Sequence, residues 1–335
     1  MPKENQAKKA TNSNLRKANK EKNDEFYTQL PDIERELFHY KEHFKGKTIF
    51  CNCDDPEESN FFRYFALNFE KLGLTKVITT HFEKDKSSYK LELEHDLNDD
   101  GRINELDRFK TPFKQNGDFR SPESIEILKS CDIVVTNPPF SLFREYVAQL
   151  IEYDKKFVII GSLNAITYKE IFSLIKENKL WIGYGFLGGN AYFKTPATKE
   201  FASGVYSEET GLVKFRNVTW FTNLEIQKRH EEMTLFRKYH ESEYLKYDNH
   251  EAINVDKIKD IPDDFDGVMG VPITFLDKYN PNQFELLGIM NTGEENKGIR
   301  YENTPHGRPI INGVEKYLRI LIKRRNKGQK YENRA

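Results

Sequence analysis

Apolar and polar positions along the chain change period repeatedly, and the changes mark out elements. From Leu30 to Phe44 the residues Ile33, Leu37, Phe38, Tyr40 and Phe44 recur at helical spacing, with Pro31 near the start, which predicts a helix. Lys47-Thr-Ile-Phe-Cys-Asn-Cys53 reads as a first strand that ends in Asp54-Asp55-Pro56. A second helix should follow. Phe61, Phe62, Phe65, Phe69 and Leu72 share one face, and Gly73 stops it. Asp55 before Pro56, with Glu58 three residues on, predicts an N-cap and a capping box.

The alternation continues with strands at Lys76–Phe82, Tyr89–Glu94, Cys131–Thr136 and Phe157–Gly161. Helices are predicted around Ile125–Leu128, Leu142–Tyr153 and Tyr168–Asn178. Strands that alternate with helices at this spacing predict crossover connections and a parallel sheet covered on both faces. The apolar runs of the fourth and fifth strands are continuous, as burial on both faces requires. This describes an α/β domain from about Lys45 to Asn223. Beyond it the pattern weakens, and residues 224–315 read as a second, smaller domain or an elaborated cap. Lys316-Tyr-Leu-Arg-Ile-Leu-Ile-Lys-Arg-Arg325 alternates enough for a final strand before a basic tail, 316–335 in all.

Composition narrows the class. A chain of 335 residues can bury a large core, and 13% aromatics argue against disorder despite a mean hydropathy of -0.75. No run of 18 apolar residues occurs, so no membrane span is expected. The polar start lacks the apolar segment of a secretory signal. Three cysteines, Cys51, Cys53 and Cys131, do not staple a chain this long, which points to a reducing, cytoplasmic setting. The net charge of -1 is unevenly spread. Residues 1–22 carry seven Lys/Arg against two acids and residues 316–335 carry eight against one, leaving 37 basic and 50 acidic residues between. Residues 1–23 are therefore expected to form a flexible basic arm. An acidic body with two basic ends hints at a polyanion partner; the alternative is a solvated terminus.

The chemistry concentrates at Thr136-Asn137-Pro138-Pro139-Phe140. An Asn/Asp-Pro-Pro-aromatic run arises by chance in such a chain with a probability of about one in a hundred or less. It directly follows a buried strand, and ligands in open α/β sheets bind at the carboxyl ends of strands. Two prolines fix φ and remove two donors, so the segment presents rigid acceptors, the Asn137 side-chain oxygen and the Pro138 carbonyl. Phe140 adds an aromatic face. Two acceptors that hold both hydrogens of an exocyclic amine can favour a pyramidal nitrogen with a free lone pair. The alternative is a proline turn that ends a strand, with Phe140 in the core.

This run is similar to the catalytic motif of N6-adenine methyltransferases that use S-adenosyl-L-methionine. Together with Asp24-Glu-Phe-Tyr-Thr-Gln29, Cys51-Asn-Cys-Asp-Asp-Pro56, Asn60-Phe-Phe-Arg-Tyr-Phe65, Ile166-Thr-Tyr-Lys-Glu170 and Gly267-Val-Met-Gly-Val-Pro-Ile-Thr-Phe275, it resembles the EcoRI-type adenine-specific DNA methyltransferases. The likeness spans residues 24 to 325. It implies a Rossmann-like methyltransferase domain over 24–223, with a mostly parallel sheet and helices on both faces. A smaller target-recognition region follows over 224–315. It implies Asn137, Pro138, Pro139 and Phe140 as catalytic and Tyr27 and Thr28 as contacts to the cofactor's methionine end. Where such enzymes usually carry a glycine-rich turn, no glycine lies between Gly46 and Gly73. Asn52, Asp54 or Asp55 is left to meet the cofactor's ammonium group. Glu83 is placed for the ribose hydroxyls and Asp96 for the adenine amine, although each isolated acid also reads as a solvated loop carboxylate.

The resemblance further implies double-stranded DNA as substrate, a flipped adenine, a short palindromic site such as GAATTC, and the modification half of a restriction–modification system. Phosphates would be met by the basic ends, including Lys323, Arg324 and Arg325. A monomer without an obligate protein partner is expected, because each strand of a palindrome can be modified separately. Alternatives are methylation of RNA adenine or a protein glutamine amide, a DNA-binding module with a dead pocket and, remotely, a nicotinamide-dependent dehydrogenase. Gly183-Tyr-Gly-Phe-Leu-Gly188 fits G-x-G-x-x-G, but no helix follows to receive a pyrophosphate, so a flexible loop near the active site is expected. Cys51-Asn-Cys53 lacks the partners of a zinc site, and no metal is expected.

Overall fold

A computed structural model describes residues 26–53, 55–82, 88–195, 201, 204–290 and 307–325. The chain opens with β1 (Tyr27–Thr28) and α1 (Leu30–Leu37), which passes through a 3-10 turn into a short helix at Lys41–Phe44. Then come β2 (Thr48–Cys51), α2 (Asn60–Leu67) and β3 (Lys76–Thr80). They are followed by β4 (Tyr89–Leu93), β5 (Phe109–Pro112) and α3 (Pro122–Ser130). Next are β6 (Ile133–Thr136), α4 (Phe143–Glu152), β7 (Lys156–Ser162) and α5 (Lys169–Lys176). After β8 (Trp181–Ile182), β9 (Asn190–Lys194), β10 (Tyr206–Ser207) and β11 (Leu212–Arg216), the strand β12 (Val218–Thr222) closes this part.

The central sheet runs β5-β4-β3-β2-β6-β7-β12-β8. Its middle, β3-β2-β6-β7, is parallel, but β4 and β5 on one side and β12 on the other are antiparallel to their neighbours. The expectation of a mostly parallel sheet is therefore corrected to a mixed one. The reason for β4 is loop length. A parallel return needs a crossover of about a dozen residues or more, and the segment between Thr80 and Tyr89 is shorter.

Both faces are covered, and the strands divide their side chains between them. Ile49, Cys51, Ile133, Val135, Val158 and Ile160 join Ile33 and Leu37 of α1 and Phe61 and Phe65 of α2. Phe50, Val134, Phe157 and Ile159 join Ile127 of α3, Phe143 and Tyr146 of α4 and Phe172 of α5. That division explains the continuous apolar runs. The predicted cap at Asp55 is also corrected. Helix α2 begins at Asn60 with Ser59 as its N-cap, whose side chain accepts from the Phe61 amide at 3.2 Å. The Asp55 carboxylate instead accepts from the Glu57 amide at 2.9 Å, closing a turn before the helix. Gly73 does end the helical region, in the left-handed conformation (φ 62°).

The remaining chain builds β13 (Ile253–Asn254), β14 (Met269–Pro272), β15 (Phe284–Met290), β16 (Ile310–Ile311), β17 (Val314–Glu315) and β18 (Arg319–Arg324). Its main sheet runs β13-β14-β18-β15. The last strand is thus an inner strand, and the expected division at 315/316 falls within one packed unit. Its apolar residues, among them Val271, Phe275, Leu286, Ile320 and Ile322, share one core with α4 and α5. Among the described residues no helix is long and apolar enough to cross a membrane.

Candidate active site

The carboxyl ends of β2, β3, β6 and β7 fall at Cys51, Thr80, Thr136 and Ser162. The chain departs from β2 toward β3 on one side and returns to β6 on the other, so the strand order reverses between β2 and β6. Such a switch point opens a crevice in α/β sheets. Asn52 follows β2 and Asn137 follows β6 at this point.

The Asn137 side chain is oriented by chemistry. Its Nδ2 donates to the Phe26 carbonyl at 2.9 Å. A carbonyl only accepts, so the amide nitrogen must face it and Oδ1 must face away. That oxygen is buried and has no partner among the described residues. Pro138 is buried, and Pro139 and Phe140 are half-buried. The Pro139 carbonyl accepts from the Leu142 amide at 3.0 Å, which starts the turn into α4.

Asn137 meets Phe26 because β1 is clamped from two more sides. Asn60 Nδ2, at the start of α2, donates to the Thr28 carbonyl at 2.7 Å. Tyr27 and Thr28 pair with Lys194 and Phe193 of β9. The Thr28 hydroxyl is buried and, among the described residues, without a partner, as is that of Thr80 at the end of β3. A buried polar group left unpaired is costly, so these three atoms at the carboxyl ends of the strands and on β1 are candidate partners for a polar ligand. At Asn52 the Thr136 hydroxyl donates to the main-chain carbonyl and the Tyr146 hydroxyl donates to Oδ1. Cys53 then takes the left-handed backbone (φ 65°) that a glycine would normally supply, so the turn is made without one. Asp55 faces His81, 3.8 Å from its Nε2.

The expected set is thereby sorted. Tyr27, Thr28, Asn52, Asp55, Asn137, Pro138, Pro139 and Phe140 lie at one edge of the sheet. Asp54 and Glu83 lie outside the described residues. Asp96 lies elsewhere. Because β4 runs antiparallel, with Leu93 opposite Val77, the residues after it emerge at the other end of β3. Asp96 there accepts from the amides of Asn98 (3.2 Å) and Gly101 (2.7 Å) and organises its own loop. Lys323 and Arg324 sit on β18 opposite Glu285 and Phe284, and the Arg325 Nε donates to the Pro281 carbonyl at 2.8 Å.

Other residues at this edge carried weaker signals in the sequence. Gly117 (φ +77°) passes so close to the His81 carbonyl that a Cβ would collide with it. This brings Asp118 and Phe119 to the carboxyl ends of β2 and β3. Arg120 holds the Asp118 carboxyl below its ordinary range through two short contacts, and Phe119 meets the Tyr146 ring edge-on at 5.1 Å. Glu36 of α1 is fully buried. It accepts from the Tyr40 hydroxyl (2.8 Å) and from the amides of Tyr184 and Gly185 (2.9 Å each). Burial pushes its carboxyl up to about 7. The 183–189 loop, expected to be flexible, is thus pinned where it leaves β8. Glu36 did have a signal: it falls within the apolar stripe Ile33, Leu37, Tyr40, where an acid is out of place.

Comparison with known proteins identifies the family. A family model described as the adenine-specific methyltransferase EcoRI matches residues 14–325. The chain belongs to this family. The Type II methyltransferase M.EcoRI of Escherichia coli is 48% identical over 330 residues, 95% of this chain and 98% of that protein. M.MgeORF184P of Mycoplasma genitalium is 39% identical over 326 residues, covering 92% and 98%, and M.MpnI of Mycoplasma pneumoniae is 38% identical over 322, covering 92% and 97%. No solved structure matches at a significant level. Family membership makes the chain an adenine-specific methyltransferase with S-adenosyl-L-methionine as methyl donor.

Proposed function

We propose that this chain methylates N6 of an adenine turned out of double-stranded DNA, acting as a monomer in the cytoplasm as the modification half of a restriction–modification system. The Type II designation of its relatives supports the last point. The observation that carries the chemistry is the orphaned, buried Oδ1 of Asn137. It is an acceptor with a fixed direction, and the adenine amino group is a donor in search of one.

When bound, S-adenosyl-L-methionine supplies an electrophilic methyl group on a sulfonium. The residues fit such a cofactor, since the unpaired Thr28 and Thr80 hydroxyls and Asp55 line the same edge. Tyr27, Thr28, Asn52 and Asp55 would hold its amino-acid end. The adenosine end falls to the Asp118–Phe119 loop rather than to Asp96, because only the former reaches this edge. Asn137 Oδ1 and the Pro138 carbonyl accept the two amino hydrogens, while Phe140 lies against the base and offsets part of the few kcal/mol that flipping costs. The prolines keep both acceptors from relaxing. Lys323, Arg324 and Arg325 we retain as phosphate contacts of the C-terminal sheet.

Radiolabelled methyl transfer to duplex DNA, RNA and protein tests the reading. Label is expected on DNA alone, as N6-methyladenine; label on RNA or protein in preference to DNA would overturn it.

A further inference from the structure

The small sheet β1-β9-β11-β10 has one face in the core and one outside. Ala191, Phe193, Val213 and Phe215 point inward. The register places Tyr192 opposite Lys214, Lys194 opposite Leu212 and Arg216 opposite Asn190. Tyr192, Lys194 and Arg216 are exposed and Lys214 is partly so. The Lys214 ammonium stands 5.8 Å from the centre of the Tyr192 ring. Among the described residues no carboxylate lies in ion-pair reach of Lys214 or Arg216, and Lys194 approaches only the exposed Glu58, at 4.0 Å. A cluster of cations in which only Lys194 has a carboxylate within reach among the described residues, laced with an aromatic ring, is complementary to a polyanion.

Its position is what matters. β9 pairs directly with β1, and β1 is held by Asn137. Neighbouring strands lie about 4.8 Å apart, so β11 is about 10 Å from β1. DNA rises about 3.4 Å per nucleotide, so this distance covers two to three nucleotides beside an extruded base.

We propose that Lys194, Lys214 and Arg216 form a phosphate-binding face that holds the DNA backbone next to the target adenine. The proposal rests on the DNA-methyltransferase reading above and adds a surface to it, separate from the Lys323–Arg325 strand. The face grips backbone and reads no base. Removing three phosphate contacts should flatten the plot of log K against log salt by about 2 to 3 units.

The test is duplex binding over a range of salt by the wild type, by K194A/K214A/R216A and by the charge-keeping K194R/K214R/R216K. Cofactor titration of each protein shows that the small sheet is intact. The alanine variant should lose affinity equally for cognate and unrelated duplexes and show the flatter slope, while the charge-keeping variant retains the wild-type slope. An alanine variant with wild-type slope and affinity would overturn the proposal while leaving the methyltransferase reading intact. So would a loss confined to the cognate sequence, which would move these residues into a groove. Wild-type protein that methylates no DNA would overturn both.

Discussion

Asn137 does two jobs with one amide, and the two can be separated by substitution. Its nitrogen ties down Phe26, just before β1, and its oxygen is buried and unpaired among the described residues. Asn137→Ala should lower single-turnover methylation by a factor of about 100 to 1,000, the usual cost of one aligned acceptor at a developing charge. DNA binding should persist, because the phosphate contacts proposed above lie elsewhere. Cofactor binding should weaken modestly, since Phe26 loses its tether; activity within a few-fold of wild type would contradict the role. Glu36 is the other residue whose environment makes a sharp prediction. Its folded-state value of about 7 lies above the ordinary 4.5, so between these values the folded protein binds the extra proton. This group's contribution to stability therefore falls as pH rises from about 4.5 to about 7 and is flat above, by on the order of 3 kcal/mol in all. Urea unfolding of wild type and Glu36→Gln across pH 5 to 8 should show this slope in the difference between them.

At the scale of elements, the loop between β8 and β9 shows how local sequence and distant packing meet. Gly183 lies so close to the Glu36 carboxylate that a Cβ would collide with Oε1 and crowd the Trp220 Cβ at 3.0 Å. Gly183→Ala should cost about 1–3 kcal/mol through overpacking. It should also raise the KM for cofactor more than it lowers kcat, because the loop feeds β9 and β9 holds Tyr27–Thr28. Denaturant midpoints and steady-state kinetics on one preparation check both. The helix and strand alternation between Leu30 and Asn178 was largely legible in the chain because each element carries its own period, whereas the short strands from Trp181 to Thr222 were not. β1 was not, being two residues long with a partner far along the sequence. Nor was the direction of β4, which loop length decides and apolar pattern does not.

For the whole molecule, the C-terminal sheet and the catalytic sheet share a core, and β18 sits between β14 and β15. Removing everything after Glu315 strips an inner strand carrying the fully buried Ile320, Leu321 and Ile322. Each such residue alone is worth about 2–5 kcal/mol when truncated to Ala. The shortened chain should fail to fold, as judged by circular dichroism and loss of cofactor binding. The intact chain should unfold in one transition with coincident probes. Two separated transitions would show that residues 224–325 fold on their own.

The chain by itself determined the class of the fold, the strand that ends at Thr136 and the rigid acceptor motif after it, because these depend on short-range periodicity and on proline's fixed φ. Family resemblance, readable in the same motifs, assigned the reaction. Tertiary structure alone decided which acids stand at the carboxyl ends of β2 and β3. Asp55 and Asp118 come there through a strand end and a glycine turn, whereas Asp96 is carried off by an antiparallel β4. It alone decided that Cys53 replaces a glycine, that Glu36 pins a loop and that Asn137 spends its nitrogen on Phe26 and leaves its oxygen unpaired among the described residues. For Glu36, Asn137 and β4 the physical reason is the same. Each rests on a hydrogen bond or strand pairing between residues distant in sequence, and no local pattern records its partner.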